Sequence, residues 1–484
     1  MSQVNAIRNP EGIWINTECF REEGMFFEKN GYYTPEIWGS PAWVDYWKEQ
    51  LKRCTEGYSV GGARITGHHY FYLNFTQIML TKDKGGSEKV ITDNIKNKAS
   101  KIAVSPHFWD GDYNYFHCLD IATNGCTKEE LDRLQLHVSI DPRYLTGGYH
   151  MIVGKARRKG YSYKNAAICA NIYNTIPDSL TIIGAFDKKY LYPRGTMGMT
   201  SRYLDFINKN TGWRKAREFV DKQEHRKASY KQYKNGVPIE SGYLSEVIAL
   251  TFKDNPDAAR GKDAKLILFE EAGKFPNLKD SYMATKESLE DGAFVTGQMV
   301  IFGTGGDMED GTIDFADMFF NPEEYDLMPF VNIWDKDANA TNCGFFHPET
   351  MNLVGFYDEQ GNSDIEKAEK YELDKRNKLR KVARSSYVLQ KRVQEKPLCP
   401  QEAFLTTSVN DFPIVELQNQ LDIVRRDNLF HKLGTPVQLY RDENNKVRIK
   451  PDLEGLLTPL NSYKIKDEDI TGCVILFEPP VSNP

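Results

Sequence analysis

Three short loops in this sequence combine the residue types that triphosphate chemistry needs. The first, Gly154-Lys155-Ala156-Arg157-Arg158-Lys159-Gly160-Tyr161-Ser162, joins an apolar run to a helical pattern. A triphosphate is held by backbone N–H groups at a helix N-terminus, by a cation beside its outer phosphates, and by a hydroxyl on Mg²⁺. Here Gly160 permits a tight approach, Lys155, Arg157, Arg158 and Lys159 supply cations, and Ser162 opens the helix with a hydroxyl. The regular pattern G-x-x-x-x-G-K-[ST] is not met. Tyr161 stands where its lysine belongs, and the two glycines are one residue further apart.

The second loop ends the run Leu266-Ile267-Leu268-Phe269 with Glu270-Glu271-Ala272. Two carboxylates at the end of a buried strand suit a Mg²⁺-phosphate site, where one holds the metal, usually through water, and the next polarises an attacking water. The third, Ile301-Phe302-Gly303-Thr304-Gly305-Gly306, could set the Thr304 hydroxyl beside the terminal phosphate. Each loop also has a plainer reading: an exposed basic turn, a strand running into an acidic loop, a glycine turn. The ordered set of three carries the case for chemistry.

The surrounding pattern supplies elements to hold these loops. Tyr149–Val153, Leu180–Ala185, Val247–Leu250, Leu266–Phe269 and Met299–Phe302 read as strands, and Ser162–Asn174 as a helix with Ala166, Ala167, Ala170 and Tyr173 on one face. Strands apolar throughout and separated by helices indicate a parallel sheet covered on both sides. Ligands bind at the carboxyl ends of such strands, which is where all three loops fall. The expected fold class is therefore α/β. Upstream, Ile65–Phe75 is dense in β-formers and reads as strand-containing, and the polar stretches Gly85–Ser87 and Lys96–Lys98 read as a loop. Downstream, Ile365 to about Glu395 reads as one long charged helical stretch, Ile414–Asn428 as another helix, and Val474–Phe477 as a short apolar run before a Pro-rich end. The texture divides the chain into 1–100, aromatic-rich and packing on the core; 101–330, the core; and 331–484, a smaller lid or linker subdomain.

Composition narrows the class further. The 484 residues are 40% hydrophobic and 27% charged, ordinary for a globular protein, and too many for one small core. No apolar run approaches the length of a membrane span and no secretory leader opens the chain, so no membrane partner is expected. The net charge of −6 argues against a protein that coats nucleic acid through bulk basicity, while leaving room for a local basic surface. Two such clusters occur: Lys222, Arg226, Lys227, Lys231 and Lys234, and Lys375, Arg376, Lys378, Arg380, Lys381, Arg384, Lys391 and Arg392. A solvated charged face is the plainer reading of both. The eight cysteines are scattered without a C-x-x-C pair, which predicts reduced thiols rather than a zinc site.

The loop Lys155–Ser162 resembles the deviant Walker A of large terminase subunits, the DNA-packaging motor ATPases of tailed bacteriophages. In several of these the lysine comes early and the final Lys-Thr is replaced. Arg260-Gly261 is similar to the Arg-Gly that often precedes the terminase Walker B, Gly303–Gly306 to the coupling motif, and Pro397-Leu398-Cys399-Pro400-Gln401-Glu402-Ala403-Phe404 to the segment entering the subdomain beyond the core. The likeness runs over roughly residues 60–480.

The resemblance implies a P-loop NTPase (RecA-like/ASCE) sheet flanked by helices, with ATP and Mg²⁺ as cofactors. It implies that Lys155, Gly160 and Tyr161 line the phosphates and that Ser162 and Glu270 hold the metal. Glu271 would be the catalytic carboxylate, Arg157 or Arg158 would stabilise the transferring phosphoryl group, and Thr304 would couple hydrolysis to movement. The family usually has Asp at the position of Glu270. Pro106-His107-Phe108-Trp109-Asp110 resembles its adenine-contacting segment, so Phe108 or Trp109 could stack on the base, although core packing serves both rings equally well. Implied partners are double-stranded DNA, the portal protein, a small terminase subunit and further copies in a ring on the procapsid, in the host cytoplasm. A neighbouring copy could supply a further arginine, with Arg194 and Arg202 as this chain's candidates. No nuclease motif is found, so DNA cleavage is not expected of this chain alone. Two other readings fit the loops: another P-loop translocase or helicase, and a nucleotide-binding virion-assembly protein without turnover.

Overall fold

The structure, a computed structural model, describes residues 16–81, 101–253, 255–292, 294–305, 312–335, 341–382, 386–405, 437–443 and 445–451. It forms two compact units, Met1–Ser408 and Val409–Pro484. The described part of the second is an antiparallel hairpin of Val437–Arg441 with Val447–Pro451.

The first unit is a mixed α/β structure built on an eight-stranded, mainly parallel sheet flanked by helices. Its strands are β1 (Met151–Lys155), β2 (Leu180–Ala185), β3 (Asp221–Lys222), β4 (His225–Lys234), β5 (Val237–Thr251), β6 (Leu266–Glu270), β7 (Gln298–Gly303) and β8 (Phe345–His347). They lie in the order β8-β1-β7-β6-β2-β5-β4-β3. From β8 to β5 every neighbouring pair is parallel; β4 and β3 close the far edge antiparallel. The sheet thus takes β8 from the stretch beyond residue 330 and seats it beside β1, with Phe346 opposite Gly154.

Alternation along these strands divides their side chains between two cores, as a two-residue pleat requires. Val153, Ile183, Leu268 and Phe302 face one core. It also contains helices α1 (Pro41–Glu56), α2 (Gly67–Phe75), α3 (Asp110–Asn124), α4 (Tyr161–Thr175) and α5 (Thr196–Asn210). Ile152, Ile182, Ile267, Phe269 and Ile301 face the other, with α6 (Thr312–Phe320) and the Ala403–Phe404 turn. Both faces are covered, so the central strands are apolar throughout.

Two expectations change. Ile65–Phe75 is mostly helix: only Ala63–Ile65 is a strand, after which Thr66 caps α2 by accepting from the His69 N–H at 3.3 Å. Every α2 residue except His68 is buried, so α2 has no polar face to betray a helical period. The charged stretch after Ile365 is helical where it is described, as α7 (Ile365–Val382) and α8 (Ser386–Glu395). The strand expected at Val247–Leu250 is the end of a much longer β5, whose first half pairs only with β4 around the Asn235-Gly236 turn. The loop at Gly85–Ser87 and Lys96–Lys98, the helix at Ile414–Asn428 and the run Val474–Phe477 lie outside the described residues. Among those described, no helix is long and apolar enough to cross a membrane, and seven cysteines are free thiols.

Candidate active site

β1 ends on Lys155, and the chain then turns through Arg158 and Gly160, both in the left-handed region at φ 63° and 74°, into α4. Gly160 is the N-cap, no side chain caps this helix, and a Cβ there would meet nothing within 4 Å. The result is a helix N-terminus without a side-chain cap, the arrangement that favours an anion.

β6 ends two strands away. Glu270 is 3% exposed and uses both oxygens: Oε1 accepts from the Ser162 hydroxyl at 2.9 Å, and Oε2 from the Thr196 N–H at 3.2 Å at the start of α5. Burial pushes its carboxyl up to about 7, opposed by the hydrogen bonds from Thr196 and Ser162 and reinforced by the neighbouring Glu271 charge. Glu271 follows at φ 53°, a left-handed conformation that costs an ordinary residue free energy and re-aims its side chain. Its Oε1 lies 3.7 Å from the Lys155 ammonium.

These groups surround one cavity of about 740 Å³ at the carboxyl ends of β1, β6 and β7. Lys155, Arg157, Arg158, Gly160, Tyr161, Ser162, Glu271 and Thr304 all line it, while Glu270 stands behind Ser162. Three charged cavity residues were not singled out for this site from the sequence: Lys274, just past Glu271, and Lys391 and Glu395 on α8. Position in the chain gave no signal for the α8 pair, because α8 reaches the loop only through the fold. Gly305 packs so closely on the far turn that an added Cβ would overlap the carbonyl oxygen of Ala403.

Other candidate residues have contacts and places of their own. Lys159 turns inward, donating to the carbonyls of Glu349 and Met351 at 2.8 Å each, with the Glu349 carboxylate at 3.2 Å. Burial lowers its ammonium to about 8 against the pull of Glu349, and its charge ties the loop to the chain after β8. Phe108 and Trp109 line a different cavity of about 400 Å³, beside Arg21, His107 and Tyr357. Phe108 stacks on Phe20 and His69 in the core, and the Trp109 ring lies 4.4 Å from that of Tyr357. Arg194 and Arg202 are exposed and outside the loop's cavity. Of the basic clusters, Arg376 is buried on Glu372 and Glu402, Arg392 binds Glu372, and Lys227 binds Glu240 and Glu246.

The sequence also hid Lys164. Two residues after Ser162, it is fully buried, donates to Asp112 of α3 at 2.8 Å, and lies 3.9 Å from the Tyr161 ring centre. Burial lowers the Lys164 ammonium and raises the Asp112 carboxyl, each held toward its charged form by the other.

No protein-family profile and no curated protein matches the sequence. Solved structures with similarity include the ATPase domain of a Thermus phage large terminase, at 13% identity and TM-score 0.34 over 51% of this chain and 87% of that one. Another is the large terminase of bacteriophage HK97, at 13% identity and TM-score 0.32, where the match spans 61% of this chain and 55% of that one. Scores this low do not carry a function, and the site's own residues must.

Proposed function

We propose that this chain binds and hydrolyses Mg·ATP in the cavity at the head of its sheet, as the motor ATPase of a viral DNA-packaging enzyme of the large-terminase kind. The observation that carries the hydrolytic reading is the convergence of Lys155, Ser162, Glu271 and Thr304, from three separate loops, on one cavity, with Glu270 hydrogen-bonded to Ser162. The packaging role is the finer step, and its support is the ordered set of sequence motifs described above.

The donor set fits the metal. A hydroxyl and a carboxylate in contact are hard oxygen ligands, few in number, as suits Mg²⁺ that arrives with phosphates and keeps several waters. Bound there by Ser162 directly and Glu270 through water, it would neutralise charge on the outer phosphates. The chain's own groups do the rest. The N-terminus of α4 and Lys155 bind the phosphates, and phosphate oxygens draw the Lys155 ammonium from Glu271. Glu271, thus released, accepts the proton of the water that attacks the terminal phosphorus, as ADP leaves with the bridging electron pair. Arg157 and Arg158 stand at the rim, where charge spreads over the transferring group.

The test is steady-state ATP turnover, with double-stranded DNA and portal present, by the unaltered chain and by Glu271→Gln. Turnover that disappears in the variant while ATP still binds supports the reading. An unaltered chain that binds ATP but never turns it over would leave a nucleotide-binding assembly protein instead.

A further inference from the structure

Glu395 is out of place in a phosphate site. Among the described residues lining the cavity, Lys155, Arg157, Arg158, Lys159, Lys274 and Lys391 are cationic, and the carboxylates are Glu271 and Glu395. Glu271 has a task in the proposed hydrolysis. A second carboxylate facing a polyanion weakens its binding unless it does something else there.

What Glu395 touches supplies that task. All three polar groups of Arg157 are taken by Glu395 and the residue after it. The Arg157 N–H donates to the Glu395 carbonyl at 3.1 Å, the Arg157 guanidinium donates through Nη1 to Glu395 Oε1 at 2.6 Å, and Lys396 Nζ donates to the Arg157 carbonyl at 3.4 Å. The anchor is itself fixed. Lys396 also binds Glu349 at 2.9 Å, the carboxylate that receives Lys159, and α8 is held to α7 by Arg392 on Glu372. Arg157 is 57% exposed and its partner 35%, so the side-chain pair adds little stability. Its effect is geometric: a free arginine at a cavity rim samples many rotamers, and this one is held, with one arm occupied and four N–H donors left over.

We propose that Glu395 is a positioning residue for phosphoryl transfer, holding the Arg157 guanidinium at the cavity rim from a helix outside the sheet. This rests on the ATPase reading above. The carboxylate also makes α8 part of the nucleotide site, so that α8 and Arg157 shift together.

The experiment measures kcat, KM for Mg·ATP and Mg·ADP affinity for the full chain and for Glu395→Gln, Glu395→Asp, Arg157→Ala and the double variant Arg157→Ala/Glu395→Gln. Glu395→Gln is expected to lower kcat about tenfold, with KM unchanged or lower because a negative charge has left the cavity. Glu395→Asp should recover part of kcat, and in the Arg157→Ala background Glu395→Gln should change kcat no further. A Glu395→Gln chain with unaltered kcat overturns the inference alone. So does an equal loss with and without Arg157, which is the mark of a merely structural glutamate. If the unaltered chain binds no Mg·ATP, the ATPase reading itself fails and takes this inference with it.

Discussion

Ser162 donates its hydroxyl to Glu270 across 2.9 Å, joining the first turn of α4 to the last residue of β6. These residues are far apart in the chain, and two strands apart in the sheet. Their meeting is the proposed seat of a divalent cation. Ser162→Ala removes one proposed ligand and leaves a buried carboxylate oxygen without a partner, at a cost of about 1–3 kcal/mol in stability. ATP turnover should fall about a hundredfold, and the Mg²⁺ concentration giving half-maximal activity should rise. An unchanged Mg²⁺ titration would remove Ser162 from the metal.

Gly305 faces a different constraint. Its Cα lies against the carbonyl of Ala403, so a methyl group there forces the third loop and the Pro400–Ala403 turn apart. Gly305→Ala should lower unfolding stability by about 1–3 kcal/mol through overpacking and should depress turnover by shifting Thr304. Urea midpoints and ATPase rates measured on the same preparation check both. A variant of full stability and full rate would mean that the loop moves freely there.

Lys164 and Asp112 form a fully buried ion pair between α4 and α3. Removing one partner strands a charge, so Lys164→Ala should cost about 3–5 kcal/mol, while Lys164→Met with Asp112→Leu should recover much of it. Thermal unfolding of the single and double variants reports this. Equal losses in both would show that the pair does more than satisfy itself.

Buried histidines give the fold a pH dependence, His117 and His150 among them. Burial lowers His117 and His150 to about 4; the Arg64 backbone hydrogen bond raises the first and the Arg64 charge lowers it, while Lys286 lowers and Asp326 raises the second. His150 accepts the Met299 N–H on Nδ1 at 3.2 Å, which requires the neutral ring. An unfolded histidine titrates near 6.5, so between about 6.5 and 4 the unfolded chain binds more protons. Stability therefore rises with pH across that window and is lost as pH falls through it, on the order of 1–2 kcal/mol per histidine between pH 7 and 5. His150→Asn can keep the acceptor and lose the titration. Its urea midpoint should vary less between pH 7 and 5 than that of the unaltered chain, and an identical dependence would exclude His150 as a contributor.

The parts of the fold visible in the sequence are those where one physical rule dominates. β1, β2, β6 and β7 are covered on both faces, and their unbroken apolar runs announced them. The meeting of the three loops at one end of the sheet was legible for the same reason, since the strands fix where the loops emerge. The helix α2 was misread because complete burial erases the polar face that marks a helix. The β4–β5 ribbon carried a usable sign that went unread: Asn235-Gly236, with φ of 51° and 79°, is the residue pair that a tight hairpin turn prefers. Lys159 and Lys164 look like surface charge in a basic stretch, and only their partners, Glu349 and Asp112, show that both point inward. The same holds for Glu395, whose distance from Arg157 along the chain conceals their contact.

The seat of Gly305 on Ala403 bears on how short a working fragment can be. A polypeptide stopped at Val382 would keep every signature loop and the whole central sheet. It would lack Lys391, Glu395 and the turn beneath Thr304, leaving the cavity open on one side. The smallest piece worth expressing for binding studies therefore continues through Leu405.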